Sequence, residues 1–465
     1  GAKMTKQQPP FKLNDIIELN ITGLGSSGEG VGKADGFTVF VHGALPGEKV
    51  SVKLFQVKKS YASGRILNIL EESPQRVKPQ CAFYEKCGGC QLQHLNYKGQ
   101  LSVKRQQVKD AIERIGHITG CEVLPVLGME NPWHYRNKMQ FPAAKTEGKI
   151  QIGCYAALTH NVINIDDCLI QKQANNKIMQ VVRQWMQQFN ISAYDETTGK
   201  GVVRHVMGRA GTKTGEVMAG GGAVIFPACY DIPHAGELVT MLKTEVDGLK
   251  SIVQNINKKR TNIIMGAKNR VLYGKSTIKD RLGNLKFNIS PLSFFQVNSA
   301  QTEKLYATAL DFAALSGKET VIDCYCGTGT ISLYLAQKAR KVYGIEIVEP
   351  AIKDANENAK ANNIANAEFI CGDAAVEMPA LLKSGVKPDT VLLDPPRAGC
   401  DKKVLAAIAG VKPEKIVYVS CNPASLARDM AFLTENGYKA VKAQPVDMFP
   451  MTVHIETVAL LILEK

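Results

Sequence analysis

Three apolar stretches in the last third of the chain each end in residues that could take part in chemistry. Cys421 follows the apolar run at 416–419 and Ser420. Two further stretches end in the same way, in the segments DCYCGTG (323–329) and DPPRAGC (394–400). Ligands of open α/β sheets bind beyond the carboxyl ends of the strands. We therefore predict that these strand ends form one active site, with Cys421 as its nucleophile. Two alternatives stay open: Cys400 is the nucleophile, or Cys421 is a small buried hydrophobic residue.

A glycine turn and two acidic residues indicate the cofactor. The turn Gly327-Thr328-Gly329 follows the first of these strands and lets the backbone approach a nucleotide. It lacks the third glycine of the dinucleotide motif. Glu346 ends the next strand 19 residues after Gly327, where an acid commonly binds ribose hydroxyls, and Asp373 follows the third strand, where it could bind an adenine amine. Together these residues predict S-adenosylmethionine.

The residues around the fourth strand end favour methylation of carbon. Asp394-Pro395-Pro396 resembles the motif of amino-methyltransferases, but those enzymes place an aromatic residue next, and here Arg397 follows. Carbon C5 of a pyrimidine is a poor nucleophile, and addition of a thiolate to C6 activates it. We predict Cys421 as that thiol and Glu456, on the last strand, as the base that removes the C5 proton. The alternative for Glu456 is a strand carboxylate that faces solvent.

The sequence divides into three regions that must position these residues. Residues 291–465 alternate apolar runs with helical patterns, which predicts a Rossmann-like domain with a doubly wound parallel sheet. Residues 96–118 have the apolar spacing of a connecting helix, and residues 121–290 show mostly β patterns with one helix near 172–190. Residues 73–290 are therefore predicted as a central α+β domain. Residues 11–72 show short β-type runs between glycine turns, typical of a small closed β-barrel. The predicted fold class is therefore a multidomain α/β protein.

A cysteine cluster in the central region predicts a metal site. Cys81, Cys87 and Cys90 have C-x5-C-x2-C spacing, and Cys168 is the best candidate for a fourth ligand. A lone C-x2-C pair with a distant single cysteine favours [4Fe–4S] over zinc. Cysteines without a metal are the remaining alternative. The C-x3-C-x2-C spacing of radical enzymes is not matched. We expect the site to be structural, because its four ligands lie far along the chain from the catalytic strands.

The charge of the chain indicates an RNA partner. The net charge is +14, and the basic residues are unevenly placed: 1–120 hold 17 Lys or Arg against 10 Asp or Glu, 121–290 hold 22 against 13, and 291–465 hold 18 against 20. Such basic regions attract polyanions. The segment WHYRNKMQFPA mixes aromatic with basic side chains, as in RNA-binding surfaces, although an aromatic core with a basic rim is equally compatible. A merely soluble basic surface is the other interpretation of the charge.

Several blocks of the sequence resemble the S-adenosylmethionine-dependent RNA uracil-5-methyltransferases. The blocks are FFQVN (294–298), DCYCGTG, DPPRAG, SCNPASLARD and DMFPMTVHIET. The resemblance spans nearly the whole chain. The N-terminal barrel resembles a TRAM domain, and the cysteine cluster with Cys168 is similar to the [4Fe–4S] site of the ribosomal-RNA members. One departure is Met451, where a histidine is expected.

This resemblance implies a set of site residues. Cys421 is the implied nucleophile and Glu456 the implied base. The residues implied for the cofactor and base pocket are Gln296, Tyr325, Thr330, Glu346, Asp373 and Asp394.

The resemblance also implies the substrate. We expect methylation of C5 of a uridine that is flipped out of its stack, in 23S rRNA rather than in tRNA. More distant alternatives are an RNA cytosine-5-methyltransferase and a non-catalytic RNA-binding protein. No run of 18 apolar residues and no signal peptide stands out, so we expect a cytoplasmic monomer without a membrane partner.

Overall fold

The computed structural model describes residues 9–221, 231–257 and 262–464. Its strands form a closed barrel, a seven-stranded sheet, a two-stranded sheet and an eight-stranded sheet. Within those ranges, no helix has the length and apolar character needed to cross a membrane.

Five strands near the N-terminus form the barrel. They are β1 (Ile16–Leu24), β2 (Gly30–Ala34), β3 (Phe37–His42), β4 (Lys49–Val57) and β5 (Tyr61–Glu71). The barrel closes in the order β1-β2-β3-β5-β4. Inward and outward side chains alternate along β4, so that Val50, Val52 and Leu54 are buried in the barrel core. The predicted small barrel is confirmed.

A helix leads from the barrel to the rest of the protein. It is α1 (Tyr97–Asp110), and it continues into a π-helical turn (Ala111–Ile115). The side chain of Asn96 caps α1 by accepting a hydrogen bond from the Gly99 amide at 2.8 Å. The short strand β6 (Glu122–Val123) then pairs in parallel with β21 (Tyr438–Val446), near the end of the chain. Part of the segment predicted as the central domain therefore adds a strand to the C-terminal sheet.

The central region is a seven-stranded sheet covered by two helices. Its strands are β7 (Lys138–Thr146), β8 (Lys149–Tyr155), β9 (Val162–Asn164), β10 (His205–Ala210), β11 (Val217–Gly221), β12 (Leu249–Ile256) and β13 (Lys268–Gly274), and its helices are α2 (Gln173–Gln188) and α3 (Ala235–Glu245). The buried residues of α2 recur at helical spacing, and Ile178, Val182 and Trp185 pack against the sheet. A hairpin, β14 (Ile278–Leu282) and β15 (Leu285–Ile289), leads on to the C-terminal region.

The C-terminal region is an α/β sandwich around the eight-stranded sheet. Its further strands are β16 (Thr320–Cys324), β17 (Lys341–Glu346), β18 (Ala367–Cys371), β19 (Thr390–Leu393), β20 (Lys415–Ser420) and β22 (Glu456–Leu463). Its helices are α4 (Ser299–Ala313), α5 (Thr330–Ala336), α6 (Glu349–Ala361), α7 (Ala374–Lys383), α8 (Lys402–Val411) and α9 (Pro423–Glu435). The strand order is β18-β17-β16-β19-β20-β22-β21-β6. Every residue of β19 is buried, as expected for a central parallel strand.

One edge of this sheet differs from the all-parallel sheet that we predicted. Strand β22 runs antiparallel to both β20 and β21, and Ser420 lies opposite Thr457. The chain turns back after β21, and the returning strand enters the sheet between β20 and β21. The start of β22 consequently lies at the same edge as the carboxyl end of β20. This arrangement brings Glu456 close to Cys421.

Candidate active site

A cavity of about 1310 Å³ opens at the carboxyl ends of β16, β19 and β20, beside the start of β22. Seven of the eight residues predicted for catalysis or cofactor binding line it: Gln296, Tyr325, Thr330, Glu346, Asp394, Cys421 and Glu456. The eighth, Asp373, is exposed and does not line this cavity. The cavity exceeds the usual size of a small-molecule site, so there is room for a nucleoside cofactor and a second base.

The glycine turn after β16 is shaped by backbone conformations that side chains rarely adopt. Gly327 and Gly329 have φ angles of +55° and +77°, and Tyr325, just before them, has a φ of +69°. A Cβ atom at Gly329 would lie 2.8 Å from the ring of Phe369, so only glycine fits there. Glu346 accepts a hydrogen bond from the Gly327 amide at 3.1 Å. The turn and the acid at the end of β17 therefore form one unit.

Asp373 has a structural role in this conformation. Its side chain caps α7 by accepting a hydrogen bond from the Ala375 amide at 2.9 Å. Its predicted contact with the cofactor stays a prediction.

Cys421 lies in the short turn between β20 and α9. The side chain of Asn422 caps α9, and its amide nitrogen donates a hydrogen bond to the carbonyl oxygen of Arg397 at 3.0 Å. The hydroxyl of Ser425 donates to the same oxygen at 3.1 Å. These bonds join the turn that carries Cys421 to the turn after β19. The half-buried thiol is thereby held on the cavity wall.

The rival nucleophile, Cys400, is held away from the cavity. Its amide donates a hydrogen bond to a carboxylate oxygen of Asp429 at 2.8 Å, and its sulfur lies 3.7 Å from the hydroxyl oxygen of Tyr418. Burial raises the pKa of its thiol to about 12. Cys400 is not among the residues that line the cavity, so the geometry favours Cys421.

Two carboxyl groups stand beside Cys421: Glu456 is buried and Asp394 is half-buried. Burial raises the pKa of Asp394 to about 7. Burial, and then the charge of Asp394, raise the pKa of Glu456 to about 8. Burial and the charges of both carboxylates also raise the pKa of the Cys421 thiol to about 11, whereas the charge of Arg397 acts in the opposite direction. A positively charged ligand in the cavity would lower all three pKa values.

The cavity also contains residues that the sequence interpretation missed. Tyr306 shares a hydrogen bond of 2.8 Å with the hydroxyl of Thr330. His454 lines the cavity, and burial followed by the charge of Arg397 lowers the pKa of its imidazole. The sequence could have suggested His454, because this residue lies only two positions before the predicted base Glu456. Tyr306 lies within α4 and has no local signal.

The predicted metal ligands line another part of the same cavity. Cys81, Cys87, Cys90 and Cys168 all contribute to its wall, together with Cys154, which was not predicted. Burial raises the pKa values of the Cys81, Cys90 and Cys168 thiols, and the charges of neighbouring cysteines raise them further. Across residues 9–221, 231–257 and 262–464, however, no three His, Cys, Asp or Glu side chains are grouped so that they could hold a metal ion. The predicted [4Fe–4S] site is therefore not shown.

The aromatic and basic segment near residue 135 divides between core and cavity. Tyr135 is buried, and its hydroxyl donates a hydrogen bond to the carbonyl oxygen of Pro450 at 3.0 Å. Tyr135 is therefore a core residue, although it also borders the cavity. Arg136 lines the cavity, where its charge is available to a polyanion.

Comparison with known proteins agrees with this geometry. The family described as tRNA (Uracil-5-)-methyltransferase matches residues 237–464, and the TRAM domain matches residues 10–67. An uncharacterized RNA methyltransferase of Clostridium tetani is 51% identical over 456 residues, which are 98% of each chain. One of Clostridium acetobutylicum is 49% identical and covers 97% of this chain and 98% of its own.

A solved structure is similar along nearly the whole chain. The tRNA (uracil-54, C5)-methyltransferase of Pyrococcus abyssi, in complex with S-adenosyl-L-homocysteine, has a TM-score of 0.75 and 28% sequence identity. The match covers 96% of this chain and 100% of that one. The fold and the cavity thus define a methyltransferase domain combined with a TRAM barrel. The chain belongs to the family of S-adenosylmethionine-dependent RNA uracil-5-methyltransferases.

Proposed function

We propose that the protein transfers a methyl group from S-adenosylmethionine to C5 of a uridine in RNA, through a covalent bond between Cys421 and C6 of the base. The observation that carries this proposal is that Cys421, Glu456 and the glycine turn share one cavity. A thiol beside a buried carboxyl group is what activation of C5 and removal of its proton require.

The cofactor would lie at the end of the cavity formed by the glycine turn and Glu346. S-adenosylmethionine, when bound, supplies a methyl group attached to a positively charged sulfur. The carboxylate of Glu346 suits ribose hydroxyls, and Asp394 and Thr330 border the same space. Gln296 and Tyr325 would line the pocket where cofactor and base meet. The role of Asp373 rests on its place after the third strand and on the family resemblance.

Cys421 would act first. Its thiol loses a proton to solvent, and the thiolate sulfur forms a bond to C6 of uracil, which makes C5 nucleophilic. The raised pKa of Cys421 opposes this ionisation as long as Glu456 and Asp394 are charged and no cation is present. A cationic cofactor in the cavity offsets these charges, so thiolate formation is coupled to cofactor binding.

Glu456 would act after C5 has taken up the methyl group. Its carboxylate accepts the C5 proton, the electron pair of the C5–H bond forms the C5=C6 double bond, and the bond from C6 to the Cys421 sulfur breaks. The thiolate leaves and 5-methyluridine is released. Glu456 is suited to this step because it is buried and lies at the edge of the sheet where β20 ends.

We propose 23S ribosomal RNA as the substrate. The target uridine must leave its stack to reach a half-buried thiol, and the positive charge of the first two thirds of the chain would hold the surrounding backbone. The barrel and the cysteine-rich segment, which occur together in this chain, support the ribosomal substrate through their family resemblance.

A tRNA uridine is the second candidate. It is favoured by the similarity to the Pyrococcus abyssi enzyme, which is named for position 54 of tRNA.

For the cysteine site we propose a structural [4Fe–4S] cluster held by Cys81, Cys87, Cys90 and Cys168. Four thiols on one cavity wall are a suitable donor set, but their present arrangement does not form an ion site. No catalytic step is therefore assigned to it. Iron and sulfide analysis of anaerobically purified protein tests the cluster, and a Cys90→Ser variant should lose stability or RNA affinity. Retained folding and RNA binding with abolished turnover would contradict a structural role.

The reaction is tested with methyl-labelled S-adenosylmethionine and transcripts of 23S rRNA and tRNA. Label should appear in 5-methyluridine of 23S rRNA, and the Cys421→Ala variant should show none. Cys400→Ala is the matched control and should retain turnover, because Cys400 lies outside the cavity. Label in 5-methylcytidine would overturn the proposed base, and label in tRNA alone would overturn the proposed RNA.

A further inference from the structure

The loop of residues 447–455 connects β21 to β22, and Glu456 is the first residue after it. Phe449, Thr452 and His454 of this loop line the cavity. Glu456 is held on one side by the pairing of β22 with β21, in which it lies opposite Val446, and on the other side by this loop.

The middle of the 447–455 loop is hydrogen-bonded to the residues that directly follow Cys90. The carbonyl oxygen of Met451 accepts hydrogen bonds from the amides of Gln91 and Leu92, both at 3.0 Å. Its amide donates to the side-chain oxygen of Gln100 in α1, also at 3.0 Å. Met451 has a φ of +70°, which side chains other than glycine rarely adopt. These three bonds hold the loop in a conformation that its own sequence does not favour.

One side-chain amide connects the cysteine turn directly to the residues before the base. The nitrogen of the Gln91 amide donates a hydrogen bond to the carbonyl oxygen of Gly88, between Cys87 and Cys90, at 3.0 Å. Its oxygen accepts a hydrogen bond from the amide of Val453 at 3.2 Å. Val453 is three residues before Glu456. The main chain of Gln91 is fixed as well, because its backbone carbonyl oxygen accepts a hydrogen bond from the Tyr84 hydroxyl at 2.7 Å.

We propose that Gln91 is a positioning residue for proton removal: its side chain joins the Cys87–Cys90 turn to Val453 and thereby places Glu456. This inference rests on the proposed function. It assigns Gln91 to the last chemical step, since the bonded residues lead to Glu456 and not to the glycine turn or to Cys421. Small displacements of a group that transfers protons reduce rates strongly.

The inference is tested by comparing Gln91→Ala with wild type and with Gln106→Ala. Gln106 is an exposed glutamine of α1 that lies outside the cavity, and its side chain donates a hydrogen bond to Asp110 of the same helix at 2.9 Å. In Gln91→Ala we expect kcat to fall about tenfold with the KM for S-adenosylmethionine unchanged. The methylated protein–RNA adduct, measured as a denaturant-stable complex during turnover, should accumulate. In Gln106→Ala the adduct should stay at the wild-type level.

A second variant keeps the test valid if Gln91→Ala does not fold. Gln91→Glu has nearly the same size and retains an acceptor for the Val453 amide, but it loses the donor to Gly88, so it breaks the same connection and should also accumulate adduct and lower kcat. Equal adduct levels in wild type and both Gln91 variants would overturn the inference, as would a fall in kcat without adduct. A wild-type protein that makes no 5-methyluridine would overturn the proposed function, and the inference with it.

Discussion

The ion pair between Lys104 and Asp447 should contribute much more to stability than a surface pair on the same helix. The Lys104 ammonium lies 2.6 Å from a carboxylate oxygen of Asp447, and the two side chains are 1% and 0% exposed. The Tyr97 hydroxyl donates to the other carboxylate oxygen at 2.9 Å. Lys104→Met keeps the apolar stem but leaves a buried carboxylate with one donor. Breaking such a buried pair typically costs about 3–5 kcal/mol.

The control on the same helix is Lys109→Met. Lys109 lies 3.9 Å from Glu113, and both side chains are about half exposed, so its loss should cost about 0.5 kcal/mol or less. The double variant Lys104→Met/Asp447→Leu should recover most of the loss, because it removes the unpaired charge as well.

Native-state hydrogen exchange at the amides of α1 and of the 447–455 loop is a suitable assay for these variants. It reports local opening free energies in a chain whose several cores make two-state unfolding a poor assumption. A Lys104→Met variant that changes the opening free energy by less than about 1 kcal/mol would refute this reasoning. A double variant no more stable than the single one would also refute it.

Two further predictions concern the cavity. Burial, and then the charge of Asp394, raise the pKa of Glu456 to about 8, and the base is protonated below that pH. Asp394→Asn removes the second of these effects, so the pKa of Glu456 should fall and the rising limb of the pH–rate profile should move to lower pH. A limb that moves to higher pH would contradict the pKa assignment. Glu346→Ala should weaken binding of S-adenosylmethionine about tenfold in calorimetry, since it removes the proposed contact to ribose. Asp373→Ala should weaken binding less than Glu346→Ala and lower thermal stability through the lost cap of α7, and equal losses of affinity would contradict this difference.

The strand ends were predictable because parallel strands place their carboxyl ends at one edge of a sheet. Gly327 and Glu346, 19 residues apart, are joined by a hydrogen bond of 3.1 Å. Cys421 and Asp394 follow neighbouring strands and line one cavity. These relations depend on local apolar runs and on a general rule of sheet topology, which a single sequence contains.

The remaining features depend on long-range packing. Glu456 reaches the site because β22 enters the sheet antiparallel between β20 and β21, which no local pattern indicates. Tyr135 is buried against Pro450 although its segment matches a surface pattern, and Cys154 joins the other cysteines from a separate strand. Asp373 caps α7, and a helix cap is a common role for an aspartate that follows a strand and precedes a helix.

The covalent role of Cys421 is the central claim, and trapping the adduct in a Glu456→Gln variant tests it most directly. Glutamine occupies the same space as glutamate but cannot accept the C5 proton, so the reaction should stop after methyl transfer. The variant would be incubated with S-adenosylmethionine and RNA, digested with protease and nuclease, and analysed by mass spectrometry. We expect a 5-methyluridine adduct on the peptide that contains Cys421, and none in Cys421→Ala/Glu456→Gln. An adduct on another residue, or full turnover without any adduct, would contradict the mechanism.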